Sequence, residues 1–313
     1  MNEQMSESQL RHPWERPVFI ASLVINVGLM VLAYFLVSLG SDWAKDHPVL
    51  AGSAKQIRAL AIAAIFAPPA IAVIRNVRRG FVRGNSVRLS PDQVPLIYEL
   101  LERHCRALKI EKIPDLYLGD KVIQLPAQAF STFRHDFIVL NARYIERKPE
   151  KSKRVLSFML GREIGRMRLR HTTWWYEMLL AYVVNIPYLK NPMTQVQTLS
   201  HDRYGAYLEP KSLPGLLILA SGRRLLKAVT TDDFLRDARE YRGFWALVSN
   251  FSRPRPHISY RIKELMRAGL MDPATGEAKT SKAAPEANDA PGEAAPESLE
   301  NAVAPSGGVH GIS

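Results

Sequence analysis

A glutamate flanked by two arginines is the most pointed pattern in this chain. In the segment GREIGRMRLRH, Glu163 follows Arg162 directly and precedes Arg166 by three positions. Helical residues turn by about 100° each, so side chains four apart share a face one turn apart. That spacing lets two imidazoles hold one metal in the pattern H-E-x-x-H, where the glutamate serves the metal-bound water as a general base. Both histidine positions here carry arginine, whose guanidinium stays protonated and offers no lone pair. Taken alone, Glu163 reads as a surface or capping carboxylate. Arg162 and Arg166 either extend a solvated basic face with Arg168 and Arg170 or turn inward to pair with carboxylates.

Further candidate donors are scattered. His171 lies just past the pattern, His201 and Asp202 fall in SHDRYGAYL, and His257 and Arg261 fall in RPRPHISYRIKEL. His171, His201, His257 and Asp202 are residue types competent for a metal, although a histidine near a helix end more often serves structure. No Ser-His-Asp grouping is evident, and GFVRGN and SGRR lack the strand-to-helix setting of a phosphate loop. The single cysteine, Cys105, cannot form an internal disulfide; it reads as a small buried hydrophobe in a reducing compartment.

The elements that must position these residues are legible in outline. KSKRVLSFMLGREIGRMRLRH predicts a helix, preceded by strands in IPDLYLGD and AFSTFRHDFIVLN, which are rich in β-branched and aromatic residues and bounded by Gly, Pro and Asn. SPDQVPLIYELLERHCRALKI predicts an amphipathic helix with Ser90 as N-cap, Pro91 at the first helical position and Gln93 completing a capping box. WWYEMLLAYVVNIPYL is short for a membrane span and suits an interface or a core. Helices are expected through HDRYGAYL and LPGLLILASGRRLLKAV.

Ahead of all this, Pro17 to Gly40 contains no charged residue, a length that spans a bilayer, for which about 20 residues suffice. A second apolar run, Ala59 to Ile74, is interrupted by Pro68 and Pro69 and is expected to form a kinked second span. Arg75, Arg78, Arg79, Arg83 and Arg88 crowd its exit, whereas the Ser41–Gln56 loop has only Lys45 and Lys55, which predicts both termini in the cytoplasm. Residues 1–16 are then a cytoplasmic segment, 17–79 a two-helix membrane anchor, 80–271 the functional domain and 272–313 a disordered acidic Ala/Pro-rich tail. The formal net charge is +12, and the tail's net of minus five leaves +17 on residues 1–271. Such charge suits anionic headgroups. Nucleic acid is not expected as a partner, since neither zinc-finger spacing nor an aromatic RNA-binding signature occurs.

FIVLNARYIE, GREIGRMRLRH, SHDRYGAYL and RPRPHISYRIKEL occur in that order and resemble four blocks of the M-forty-eight peptidase family, the HtpX-type membrane metalloproteases and CAAX prenyl endopeptidases. The resemblance runs from the first apolar stretch to about Leu270. It implies an α+β, mainly helical fold, a gluzincin-type metallopeptidase-like domain behind two N-terminal transmembrane helices. It makes Arg162, Arg166 and Thr198 the former zinc-ligand positions, Thr198 standing where the family has a glutamate four residues before an aspartate, here Asp202. Glu163 becomes the vestigial general base, and His257, Arg261 and Ile262 match the closing segment. With those ligands replaced, the resemblance implies no metal or other cofactor and a catalytically inactive pseudopeptidase of the inner (cytoplasmic) membrane. Its expected partners are the lipid bilayer and a further membrane or cytoplasmic protein. The alternative is an active zinc metalloendopeptidase in membrane-protein quality control. In the first reading, Arg162 or Arg166 is expected to replace the metal's charge by bonding to Glu163 or Asp202.

Overall fold

A computed structural model of the chain describes residues 5–38, 52–132, 135–145, 152–225 and 230–277. A short helix α1 (Glu7–Leu10) leads into α2 (Glu15–Ser38) and α3 (Ala54–Gly84). Both long helices are long and apolar enough to cross a membrane, and only 17% and 11% of their most apolar stretches are buried. A soluble core helix would hide those side chains; here Ile20, Val24, Phe35, Leu60, Phe66 and Val73 are exposed. α3 continues through Pro68 and Pro69 and runs well past the expected end at Ile74. At about 1.5 Å per residue its 31 residues exceed the roughly 30 Å hydrocarbon thickness, so its last turns are free to pack on the domain.

They do so through Val82, which joins Tyr117, Ile123, Phe137 and Val139 in a small core on one face of the sheet. That sheet has four strands, β1 (Val87–Arg88), β2 (Asp115–Gly119), β3 (Ala127–Ser131) and β4 (Asp136–Asn141), in the order β1-β2-β4-β3. β2 and β4 are parallel, and the remaining pairs are antiparallel. The stretch AFSTFRHDFIVLN thus contributes to two strands. Central β4 is apolar on both faces because Phe137 and Val139 meet the α3 side while Ile138 and Leu140 enter the main core.

The main core lies between the other face of the sheet and the helices α4 (Pro95–Ala107), α5 (Lys153–Arg168) and α8 (Lys190–Leu208). α4 starts later than expected from its cap residues. Ser90 and Gln93 do form half of the box, Ser90 N–H donating to Gln93 Oε1 at 3.0 Å. They head a turn, however, because Pro95 forces Val94 out of helical geometry (φ −141°, ψ 62°) and itself takes the first helical position. α5 and α8 approach closely where they lack side chains: a Cβ on Gly165 would sit 2.3 Å from Tyr204 Cβ, and one on Gly205 would sit 2.6 Å from Arg162 Cγ.

WWYEMLLAYVVN forms two short helices, α6 (Trp174–Leu179) and α7 (Ala181–Asn185), packed against α2 and α3. Phe19 stacks on Tyr176 at 5.2 Å, and Tyr182 donates from its backbone to Asn26 and from its hydroxyl to Ala64 O at 2.7 Å. The apolar hairpin is therefore built into the domain and is more than a tether. Helices α9 (Leu213–Leu225, broken at Gly222), α10 (Thr231–Glu240), α11 (Phe244–Phe251) and α12 (Ile258–Arg267) are the last among the described residues. Residues 272–277, assigned to the acidic tail by composition, form a turn in which Asp272 N–H donates to Glu277 O at 2.7 Å; the rest of the expected tail lies outside the described residues.

Candidate functional site

Buried residues run all round α5 from Val155 to Gly165, so its polar groups face protein on every side. Arg162 and Glu163 are both buried, and across from them α8 supplies Asp202 and α12 supplies Arg261. Arg261 grips Asp202 with two aligned hydrogen bonds, Nε to Oδ2 at 2.6 Å and Nη2 to Oδ1 at 2.7 Å. Arg162 Nε also lies 2.7 Å from Asp202 Oδ1. Its N–H does not point at an acceptor, so this is an ion pair by proximity and not the expected hydrogen bond. Burial depresses the Arg162 pKa, opposed by Asp202 and reinforced by Arg261. Gly205 leaves the room that the aliphatic stem of Arg162 occupies.

Glu163 reaches the opposite way. In β3, Pro126 O and Thr132 N–H bond toward β4, so the N–H of Ala129 points off the free edge, where it donates to Glu163 Oε2 at 2.8 Å. Arg166 Nη1 stands 3.7 Å from the same oxygen. An exposed sheet edge is where an extended peptide can add a strand. At Ala129 that donor is already taken, and farther along the edge Ser131 Oγ bonds Thr172 Oγ1 at 2.6 Å.

The donor set does not suit zinc. Arg162 and Arg166 have no lone pair to give, and the Thr198 hydroxyl is used on its own helix, donating to Thr194 O at 2.8 Å. Among the described residues no group of three or more His, Cys, Asp or Glu side chains is placed to hold a metal ion. The arrangement has the elements of charge neutralisation: three guanidiniums, from Arg162, Arg166 and Arg261, interleave with the carboxylates of Glu163 and Asp202.

His171 and His201 meet in a second cluster. α5 ends in a Schellman turn, with Arg170 in the left-handed region (φ 60°), His171 N–H on Arg166 O and Arg170 N–H on Met167 O. This reversal turns His171 inward, where Nδ1 lies 2.9 Å from His201 Nε2 and Nε2 lies 3.2 Å from Glu15 Oε1. Burial holds both imidazoles below their ordinary pKa, His201 well below. In the neutral chain His201 Nε2–H donates to His171, and His171 Nε2–H donates to Glu15. Ser200 Oγ also donates to Glu15 and accepts from His12 N–H at 2.9 Å. His257 joins neither cluster; its ring bonds Ser249 Oγ at 3.1 Å.

Sequence reasoning missed Glu15, Ser200 and the Ala129 amide. Glu15 carries no local signal beyond being a carboxylate at the mouth of an apolar helix, and a backbone donor has no residue type to betray it. No family model, no curated protein and no solved structure matches this chain.

Proposed function

We propose that this chain is a membrane-anchored, gluzincin-type relative of the M-forty-eight peptidases in which an arginine–aspartate junction has replaced the catalytic zinc, a pseudopeptidase that binds or regulates at the bilayer. The observation that carries this reading is Arg162, at the first ligand position, set 2.7 Å from Asp202 and beside Arg261. A cation in the parent layout ties the motif helix to the helix of the second motif, and here a guanidinium supplies that charge between α5 and α8. Glu163, hydrogen-bonded to the edge strand, has no metal-bound water to activate. The exposed apolar faces of α2 and α3 support insertion as a two-span hairpin. The arginines at the exit of α3 support a cytoplasmic domain at the inner membrane, with the bilayer and a further membrane or cytoplasmic protein as partners.

Metal analysis of the purified full-length protein tests the reading. None bound is expected, and Glu163→Gln should leave any proteolysis of casein or membrane substrates at background with added zinc. About one zinc per chain, together with cleavage that Glu163→Gln abolishes, would establish an active endopeptidase instead. Topology is read separately: protease added to spheroplasts should leave residues 80–313 undigested.

A further inference from the structure

Next to the arginine–aspartate junction a cavity of about 490 Å³ opens between the end of α3, the 121–125 loop, β3 and the start of α6. Its walls carry six cationic side chains, Arg75, Arg78, Arg79, Lys121, Arg166 and Arg255, against one carboxylate, Glu177. Glu177 is already committed, to Arg79 at 2.6 Å and to Arg75 at 3.4 Å. Arg166 leans toward Glu163 at 3.7 Å, outside the cavity. Arg78, Lys121 and Arg255 have no carboxylate partner among the described residues.

Like charges gathered around one hollow repel unless an anion enters. Arg255 has its pKa lowered chiefly by burial and by Arg261, which lies outside the cavity; of the cavity cations only Arg166 adds to this, as the smallest contribution. The lining is also suited to a particular anion. Guanidinium forks match tetrahedral oxyanions in bidentate fashion, and Gln128 and Thr172 add neutral polar groups beside them.

We propose that this cavity binds a phosphate-bearing anion, contacted by Arg78, Lys121 and Arg255 and backed by the wall that Glu177 fixes through Arg75 and Arg79. The phosphate has two chemical sources, a soluble phosphate compound or the headgroup of an anionic phospholipid. Arg75 directly follows the apolar stretch of α3, which sets the cavity at the end of a helix able to cross a bilayer, at headgroup depth. The proposal is independent of the loss of peptidase activity; only the lipid source depends on the chain lying in a membrane.

Full-length protein in non-ionic detergent is titrated with inorganic phosphate at constant ionic strength while its thermal midpoint is followed. In parallel it is reconstituted into phosphatidylcholine vesicles with or without a fifth of phosphatidylglycerol. A rise in midpoint with phosphate identifies a soluble source, and a rise with phosphatidylglycerol alone identifies the headgroup; either supports the proposal. The double variant Arg78→Gln, Lys121→Gln should bind about tenfold more weakly. Arg88→Gln, a cation outside the cavity, should bind as the wild type does. Both replaced cavity residues are exposed and unpaired, so the double variant should unfold at or above the wild-type midpoint without anion; should it fail to fold, Arg255→Gln repeats the measurement. No response to either anion, or an equal loss in Arg88→Gln from diffuse attraction to a basic protein, overturns the assignment.

Discussion

Along α8, Asp202 faces the guanidiniums of Arg162 and Arg261, while its neighbours Ser200 and His201 face Glu15 and His171. Both junctions are buried, and both tie α8 to elements distant in sequence. The first is two guanidiniums gathered on one carboxylate. The second contains imidazoles that burial keeps neutral. The contrast separates two ways of holding one helix: the first junction is sensitive to losing a partner, and the second to gaining a proton.

The largest effect should follow from Asp202→Ala, which leaves Arg162 and Arg261 buried without their shared carboxylate. Removing one partner of a buried pair typically costs about 3–5 kcal/mol, and denaturant unfolding in detergent should read a loss in that range. Arg162→Met should cost clearly less, because Arg261 retains both hydrogen bonds to Asp202 and loses a repelling neighbour. Equal losses in the two variants would break the comparison, since they would make Arg162 as necessary as the carboxylate it approaches.

The second effect is one of pH. Three buried histidines, His104, His171 and His201, have pKa values lowered from the ordinary 6.5, chiefly by burial, His104 to about 3. A lowered folded-state pKa means that the unfolded chain binds more protons once the pH falls below about 6.5, so stability is full above that value and is lost on acidification. The slope is at most about 1.4 kcal/mol per pH unit for each histidine. His171 faces Glu15, which favours its protonation, and Arg11 and Arg166, which oppose it; His201 faces His171, Arg166, Arg162 and Arg261, all opposing. His201→Gln should therefore flatten the stability profile between pH 8 and 5 more than His171→Gln does. The reverse order would mean that Glu15 does not govern the cluster.

Much of the arginine junction was legible before any fold was seen. The spacing of Arg162 and Arg166 put those two on one helix face, and Asp202 or Glu163 was the expected partner; Arg261 stood only in the closing segment, with no expected place beside that face. Geometry then decided what spacing leaves open: Arg261, not Arg162, makes the aligned hydrogen bonds. The histidine junction was legible only in part. His171 and His201 stood out as residue types, but Glu15 is 156 positions from His171, and that pairing depends on α2 packing against α8. Arg75, Arg78 and Arg79 read as a topology signal and not as the wall of a cavity, because only the continuation of α3 beyond its apolar stretch turns them toward Lys121 and Arg255. The start of α4 was misread because Ser90 and Gln93 satisfy a cap rule that Pro95 overrides.

The smallest effect should come from a pair that matches the first in chemistry and distance. Arg88 Nη2 lies 2.8 Å from Asp115 Oδ1, nearly the separation of Arg162 from Asp202, yet the two side chains are 65% and 29% exposed against 8% and 1%. Water screens the exposed pair, and an unmatched partner there is simply resolvated, so such pairs contribute about 0–1 kcal/mol. The Arg88–Asp115 link also joins β1 to β2, whose backbone ladder persists without it. Arg88→Ala should thus shift the unfolding midpoint little, and raising the salt concentration should erase what shift there is, because exposed charges are screened over a Debye length of about 10 Å at 0.1 M. Asp202→Ala should respond far less to salt, its charges being shielded from solvent by the helices around them. A destabilisation by Arg88→Ala as large as that of Asp202→Ala would mean that residue type and distance, rather than burial, set the strength of these links, and the assignment of a structural role to the buried arginine would lose its physical basis.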